Sequence, residues 1–267
     1  MTQVGIAGFG TIGRVVARHI EASGLPLTLA AVSAGDRGRA TAAMTALRRP
    51  VPIVDTAELV ALSDVVVDSA PTAAFRDIAT ATLGAGKALI TVSGAALMQW
   101  PEATEIARAH GGRIVLATGA LLGLDAVRAA AVGTIHSVTM TTRKPVKSLV
   151  KAEHVVRNNI DLTGLTEPLK IFEGSALEGA IAFPANVNVA AALGMAGIGP
   201  ARTQLEIWAD PALERNTHRI VVDSDSARFE LAIENIPTVE NPGTGRITAQ
   251  SIIAALNDLV SPIRIGT

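Results

Sequence analysis

The chain contains no cysteine in 267 residues. That excludes disulfides, thiolate catalysis and Cys-ligated metals. Aromatic residues make up only 3 %, so any core must be built from Ala, Val, Ile and Leu. An excess of charge of either sign is missing too. With 23 Lys and Arg against 24 Asp and Glu the net charge is −1, which offers no general surface for nucleic acid or membrane. No apolar run reaches transmembrane length, and the N-terminus has the pattern of a strand, not of a signal peptide. A cytoplasmic protein is the expectation. No cluster of His, Asp or Glu has metal-ligand spacing, so no metal is expected.

What is present starts at residue 3. Gln3 to Ala7 has the pattern of a short buried strand, and Gly8-Phe9-Gly10-Thr11-Ile12-Gly13 follows at once. From Thr11 the apolar residues Ile12, Val15, Val16 and Ile20 fall at helical spacing. Strand, G-x-G-x-x-G and helix together form a dinucleotide-binding fingerprint. Gly8 permits the tight turn, Gly10 lets a pyrophosphate approach the backbone, and Gly13 lets helix and strand pack closely. Backbone N–H groups around Thr11 and Ile12 then face the phosphates at the positive end of the helix dipole. A second strand, Leu27 to Val32, ends at Ser33, where an acidic residue usually holds the ribose of NAD. Ser33 with Arg37 and Arg39 suits a 2′-phosphate, while Asp36 suits a ribose hydroxyl. NADP and NAD both stay open, with a slight lean to NADP; Arg37 and Arg39 fit a solvated helix start equally well.

A chain of this length needs more than one minimal nucleotide-binding unit, and a hydrophobic content of 49 % is ample for it. Strand patterns at Val51–Val54, Val65–Ala70, Ala88–Ser93 and Arg113–Ala117 alternate with helical patterns, the mark of a parallel sheet covered on both faces. Loops after Ser69, Ser93 and Ala117 lie at strand carboxyl ends, where such sheets bind ligands, and Ala70 joins the expected cofactor contacts. From Ser137 the texture changes to alternating, β-branched segments: Ser137–Arg143, Leu205–Asp210, His218–Asp223 and Ala227–Glu234. The expected fold is α/β: an N-terminal Rossmann-type parallel sheet and a second α+β domain built on an antiparallel sheet. The expected division is residues 1–130 for the dinucleotide, 131–246 for substrate and catalysis, and a C-terminal helix in 247–267 returning to the first domain.

Polar groups in the second half admit two interpretations each. His218, in Asn216-Thr217-His218, is either a structural histidine or an acid–base group with a useful titration range. Asn186 and Asn188 either cap the helix that follows or meet a ligand. Lys144, in Arg143-Lys144-Pro145, is a solvated strand end or a partner for a substrate carboxylate.

Taken in order, G-F-G-T-I-G, T-G-A-L-L-G-L-D from Thr118, T-T-R-K-P from Thr141, I-F-E-G-S-A-L-E-G-A from Ile171, F-P-A-N-V-N-V-A-A from Phe183, A-D-P…N-T-H to His218 and N-P-G-T-G from Asn241 resemble the L-aspartate dehydrogenase family over essentially the whole chain. Leu177, Gly243 and Gly245 stand where members often carry a basic residue, a lysine and a serine. The resemblance implies oxidative deamination of L-aspartate to iminosuccinate with NAD or NADP, or the reverse. It also implies that His218 is the catalytic residue and that Ala120 and Asn188 contact the nicotinamide nucleotide. Lys144, Asn186, Asn241 and Thr244 are the expected substrate contacts. The partner is then a small molecule, L-aspartate or a related amino or imino acid. A homodimer built on the strand face around Val138 to Thr142 is also expected. Two other readings fit the same frame: an imine or semialdehyde reductase acting on another small carboxylate, and an NAD(P)-sensing protein without turnover. The joint presence of His218, Asn188 and Lys144 favours catalysis.

Overall fold

Near-continuous Val, Ile, Leu and Ala runs can be stable strands only where both faces are covered, and six of them are placed that way. The computed structural model describes residues 1–183, 187–241 and 243–266. The strands are β1 (Thr2–Ala7), β2 (Leu27–Ser33), β3 (Ile53–Val54), β4 (Val65–Asp68), β5 (Ala88–Thr91) and β6 (Arg113–Leu116). They form one sheet in the order β3-β2-β1-β4-β5-β6, and every pairing is parallel. Helices α1 (Thr11–Ala22), α2 (Arg37–Met44), α3 (Thr56–Ala61), α4 (Phe75–Gly84), α5 (Gly94–Met98) and α6 (Glu102–His110) connect them. One face packs Val4, Ile6, Val67 and Ile90 against Val16 and Ile20 of α1. The other packs Val66 and Leu89 against Leu59, Phe75, Ile78 and Leu83.

The second part of the chain supplies α7 (Leu124–Ala130), β7 (Ile135–Pro145), α8 (Glu153–Arg157), β8 (Leu169–Ser175), α9 (Ala176–Ala182), α10 (Asn188–Ala196), β9 (Thr203–Asp210), β10 (Thr217–Ser224) and β11 (Arg228–Glu234), and then α11 (Arg246–Val260). Its five strands lie in the order β11-β10-β7-β9-β8. The sheet is mixed, which corrects the antiparallel expectation: β7 and β9 run parallel. The long connection between them carries the chain back to the end from which β7 began, so the direction repeats. β8 was not legible as a strand. It occupies the edge beside β9, and a capping box closes it into α9, with Ser175 and Glu178 satisfying each other's backbone N–H groups.

The compact units differ from the expected division. One comprises Met1–Gly119 with Thr248–Ile265, the other is built on Ala120–Ile247. Helix α7, placed in the first domain by the 1–130 boundary, packs within the second unit, because its apolar side Leu124, Val127 and Ala130 is buried there against α10. Most of α11 belongs to the first unit, where Ile252 and Leu256 are fully buried in the same core as Val4 and Val16.

Leu256→Ala should destabilise the first unit by about 2–5 kcal/mol, since it removes a fully buried side chain from a packed core. Urea unfolding followed by Trp100 fluorescence in a Trp208→Phe background measures this. A loss well under 1 kcal/mol would mean that α11 is a loosely docked tail.

Candidate active site and nucleotide cradle

In the first unit the order of strands determines the site. β1 lies between β2 and β4, so Gly8, Ser33 and Ala70 come together at neighbouring carboxyl ends. The Gly8 N–H donates to the Ser33 carbonyl at 2.9 Å, and the Ser69 hydroxyl donates to the Gly8 carbonyl at 2.7 Å. Gly8 has φ +91°, and a Cβ there would stand 2.5 Å from the Ala70 nitrogen. A Cβ on Gly13 would stand 2.1 Å from the Gly8 carbonyl oxygen. The fold itself requires both glycines. Gly10 is different: a Cβ there meets nothing within 4 Å. It is the N-cap of α1 and brings no side chain to the first turn. The space and the helix start beyond it are what a pyrophosphate needs, so the residues present fit a dinucleotide. Thr11 and Ile12, half-buried, form that first turn.

Ser33 is half-buried and Arg37 is exposed as the first residue of α2. The Asp36 carboxylate accepts from the Arg39 N–H at 2.9 Å as the N-cap of that helix, so its capping role is already filled. Asp68, which the sequence reading passed over, is fully buried at the end of β4. It accepts from Thr91 Oγ1 at 2.7 Å, Ser93 Oγ at 2.9 Å and the Ala70 N–H at 3.2 Å. These bonds tie β4 and β5 together behind Ala70. Burial pushes its carboxyl above the ordinary carboxylate range, and the three hydrogen bonds pull the other way. The signal was a lone acid closing the run Val65-Val66-Val67.

In the second unit, strand register assembles a different corner. His218 stands opposite Thr142, and Thr217 opposite Arg143. Opposed residues share a face and alternate residues return to it. Thr142, Lys144 and His218 therefore lie on one face, and all three are buried. This overturns the solvated reading of Lys144, a residue only 4 % exposed. Burial lowers its ammonium to about 8. His218 Nδ1 hydrogen-bonds with Thr142 Oγ1 at 3.0 Å, which leaves Nε2 as the ring atom for chemistry. Burial first, and the charge of Lys144 second, lower the imidazole from 6.5 to about 3. The useful titration range expected of His218 is therefore absent from the protein alone, and the ring is a neutral base near pH 7.

Among the remaining expected residues, Asn188 opens α10 but its N-cap is Val187, so it is not in the capping position. Asn186 lies outside the described residues. Asn241 is exposed, and its Oδ1 accepts from the Gly243 N–H at 3.2 Å within a turn that also holds the Thr244 N–H on the Asn241 carbonyl at 2.9 Å. That turn is not part of the buried triad. Its downstream end, Gly245, pairs with Pro237. Leu177 sits in the first turn of α9, 38 % exposed. Asn235, missed in the sequence, is buried; its Nδ2 donates to the Ala120 carbonyl at 3.0 Å. Only the ladder reveals it, because β11 places it two residues beyond Ile233, the partner of His218.

Known proteins agree with these two halves. The family model described as aspartate dehydrogenase, C-terminal, matches residues 125–259, and the homoserine dehydrogenase NAD-binding domain matches residues 8–117. An L-aspartate dehydrogenase of Bradyrhizobium diazoefficiens is 49 % identical over 99 % of this chain and 94 % of its own. One from Methanocella arvoryzae is 40 % identical over the full length of both. The crystal structure of aspartate dehydrogenase from Thermotoga maritima superposes with a TM-score of 0.75, covering 100 % of both chains at 24 % identity, a likeness of fold. Neither the reductase of another carboxylate nor the non-catalytic sensor is favoured by these matches.

Because His218 is neutral in the fold down to about 3 and has an ordinary value of 6.5, the unfolded chain binds the extra proton between those values. Stability must fall as pH drops through that window. His218→Gln should flatten the loss, by up to about 1.4 kcal/mol per pH unit. The check is urea unfolding at pH 4 to 7, followed by Trp208 fluorescence in a Trp100→Phe background. Identical slopes for both proteins would refute the assignment.

Proposed function

The chain belongs to the aspartate dehydrogenase family, and from that membership we propose that it is an NAD(P)-dependent L-aspartate dehydrogenase. It oxidises L-aspartate to iminosuccinate, which water converts to oxaloacetate and ammonium, or runs in reverse. The observation that carries the reading is the buried pair His218 and Lys144 on one face of the second sheet. When bound, the nicotinamide accepts a hydride from the substrate Cα. Gly8, Gly10, Thr11, Ile12 and Gly13 hold the pyrophosphate, Ser33 and Arg37 attend the ribose end, and Ala70 lines the adjacent strand end. Ala120 and Asn188 meet the nicotinamide side.

The chain's own chemistry is acid–base and electrostatic. The Lys144 ammonium, buried and short of water, attracts a substrate carboxylate more strongly than an exposed lysine would. A carboxylate seated there also offsets the charge that depresses His218. The neutral imidazole then takes the proton released as the amine becomes an imine, or activates the water that attacks it, with Thr142 fixing the ring orientation. Asn186, Asn241 and Thr244 complete the proposed substrate contacts, Asn241 and Thr244 through the turn they stabilise. No described helix is long and apolar enough to cross a membrane, and the cytoplasm is the proposed location, in keeping with a nicotinamide-dependent enzyme.

The proposed assembly is a homodimer through the opposite face of the second sheet. There Trp208 is flanked by Arg143 and Lys170, each with its cationic group 5.5 Å from the ring centroid. Thr139, Thr141 and Trp208 are only half-buried within the unit. Trp208→Glu should convert a dimer to a monomer in light scattering at micromolar concentration; a monomeric wild type would remove the idea.

His218→Ala should lower kcat for L-aspartate by about 10²–10⁴-fold with NAD(P)H affinity nearly unchanged. Stopped-flow hydride transfer with a fold check by circular dichroism decides it. A folded variant at full rate would return His218 to a structural role.

A further inference from the structure

The residue at the carboxyl end of β2 decides which charge meets the adenosine ribose of a dinucleotide. Here it is Ser33, paired with Ala7 in the ladder and accepting the Gly8 N–H through its carbonyl, so it stands beside the fingerprint turn. The nearest carboxylate along the chain, Asp36, is committed elsewhere. Its Oδ1 accepts from the Arg39 N–H at the start of α2, and turning it toward a sugar would uncap that helix. Gly35, between them, is exposed, and a Cβ there would meet nothing within 4 Å. The strand end therefore faces open space, with its local carboxylate already engaged.

Helix α2 opens against its own dipole. Cations are disfavoured at a helix N-terminus, yet Arg37 and Arg39 lie in the first turn and no acidic residue accompanies them there. Both are exposed, and neither guanidinium has an ion pair or hydrogen bond among the described residues. An anion from outside the chain accounts for that arrangement. The two arginines are not equivalent. Arg37, Ala40 and Met44 recur at i, i+3 and i+7, one stripe of the helix, and Ala40 and Met44 are buried in the core shared with Val4, Leu29 and Val32 of the sheet. Arg37 thus lies on the sheet side, at the end where the strands finish. Arg39 is two residues on, about 200° around the axis, and is directed away from the sheet.

We propose that Arg37 selects NADP over NAD by pairing with the phosphate on the adenosine 2′-oxygen, the Ser33 hydroxyl donating to the same group. The proposal rests on the nicotinamide-dependent reading and deepens it by naming the form of the cofactor. A planar guanidinium gives a phosphate two parallel charge-assisted bonds. NAD carries a neutral hydroxyl at that position, so Arg37 adds little to its binding. Capping draws the Asp36 charge onto the Arg39 N–H, which lessens its repulsion of the phosphate.

The test is equilibrium binding of NADPH and of NADH, read by fluorescence titration without substrate, for the whole protein and for Arg37→Ala, Arg37→Lys and Arg39→Ala. The unaltered protein should hold NADPH at least about tenfold more tightly than NADH. Arg37→Ala should weaken NADPH about 10- to 100-fold and NADH by less than about threefold. Arg37→Lys keeps the charge without the fork, so its NADPH affinity should fall between the two. Arg39→Ala removes the same charge from the same turn and should move either affinity by less than about threefold. If Arg37→Ala fails to fold by circular dichroism, Arg37→Lys carries the comparison with Arg39→Ala. Equal affinities in the unaltered protein, or a preference for NADH, overturn the proposal. Equal losses of both cofactors in Arg37→Ala do so too, and so does an NADPH loss in Arg39→Ala as large as that in Arg37→Ala. Failure of the unaltered protein to bind either cofactor refutes the nicotinamide-dependent reading itself, a separate result.

Discussion

Burial lowers the ammonium of Lys144 and holds the imidazole of His218 neutral, and the second unit is arranged around that constraint. Removing Lys144 from water costs free energy. The cost shows in both groups: the ammonium falls to about 8 and the imidazole to about 3. A substrate that brings carboxylates changes the balance. In the proposed reaction it pairs with the lysine and removes the smaller of the two causes that depress the ring, burial being the larger. Thr142 holds the imidazole, β7 sets Lys144 two residues beyond Thr142, the partner of His218, and the neighbouring strand carries Asn235 to the same face.

The first unit obeys a different constraint, that of close backbone approach. Two of its three fingerprint glycines are needed by the chain itself, since side chains at Gly8 and Gly13 would run into backbone. Gly10 is the exception, and the exception is informative. A residue that the fold does not require to be glycine, at the start of a helix beside a strand end, is explained by something outside the chain. Asp68 adds rigidity behind it by joining β4, β5 and Ala70 through three hydrogen bonds. Such a carboxylate holds loops in place without touching what they bind.

The parallel sheet, the nucleotide fingerprint and the alternating strands of the second half were legible because their signals are local. Apolar runs, glycine spacing and period-two alternation concern residues a few positions apart, and steric rules alone translate them into structure. His218 and Lys144 stood out as chemistry for the same reason, through the short motifs that carry them. What the sequence could not decide involves pairing between distant segments. The parallel match of β7 with β9 across a connection of more than fifty residues has no local signature, nor does the edge strand β8. Whether Lys144 is solvated or buried, and whether His218 titrates near neutrality, depends on which strand lies opposite and how much water remains. Asn235 became visible only once β11 was set beside β10. Local sequence determines which residues can be strand, turn or helix; register and burial, which tertiary packing alone sets, decide which of them share a face, lose their water and acquire altered chemistry.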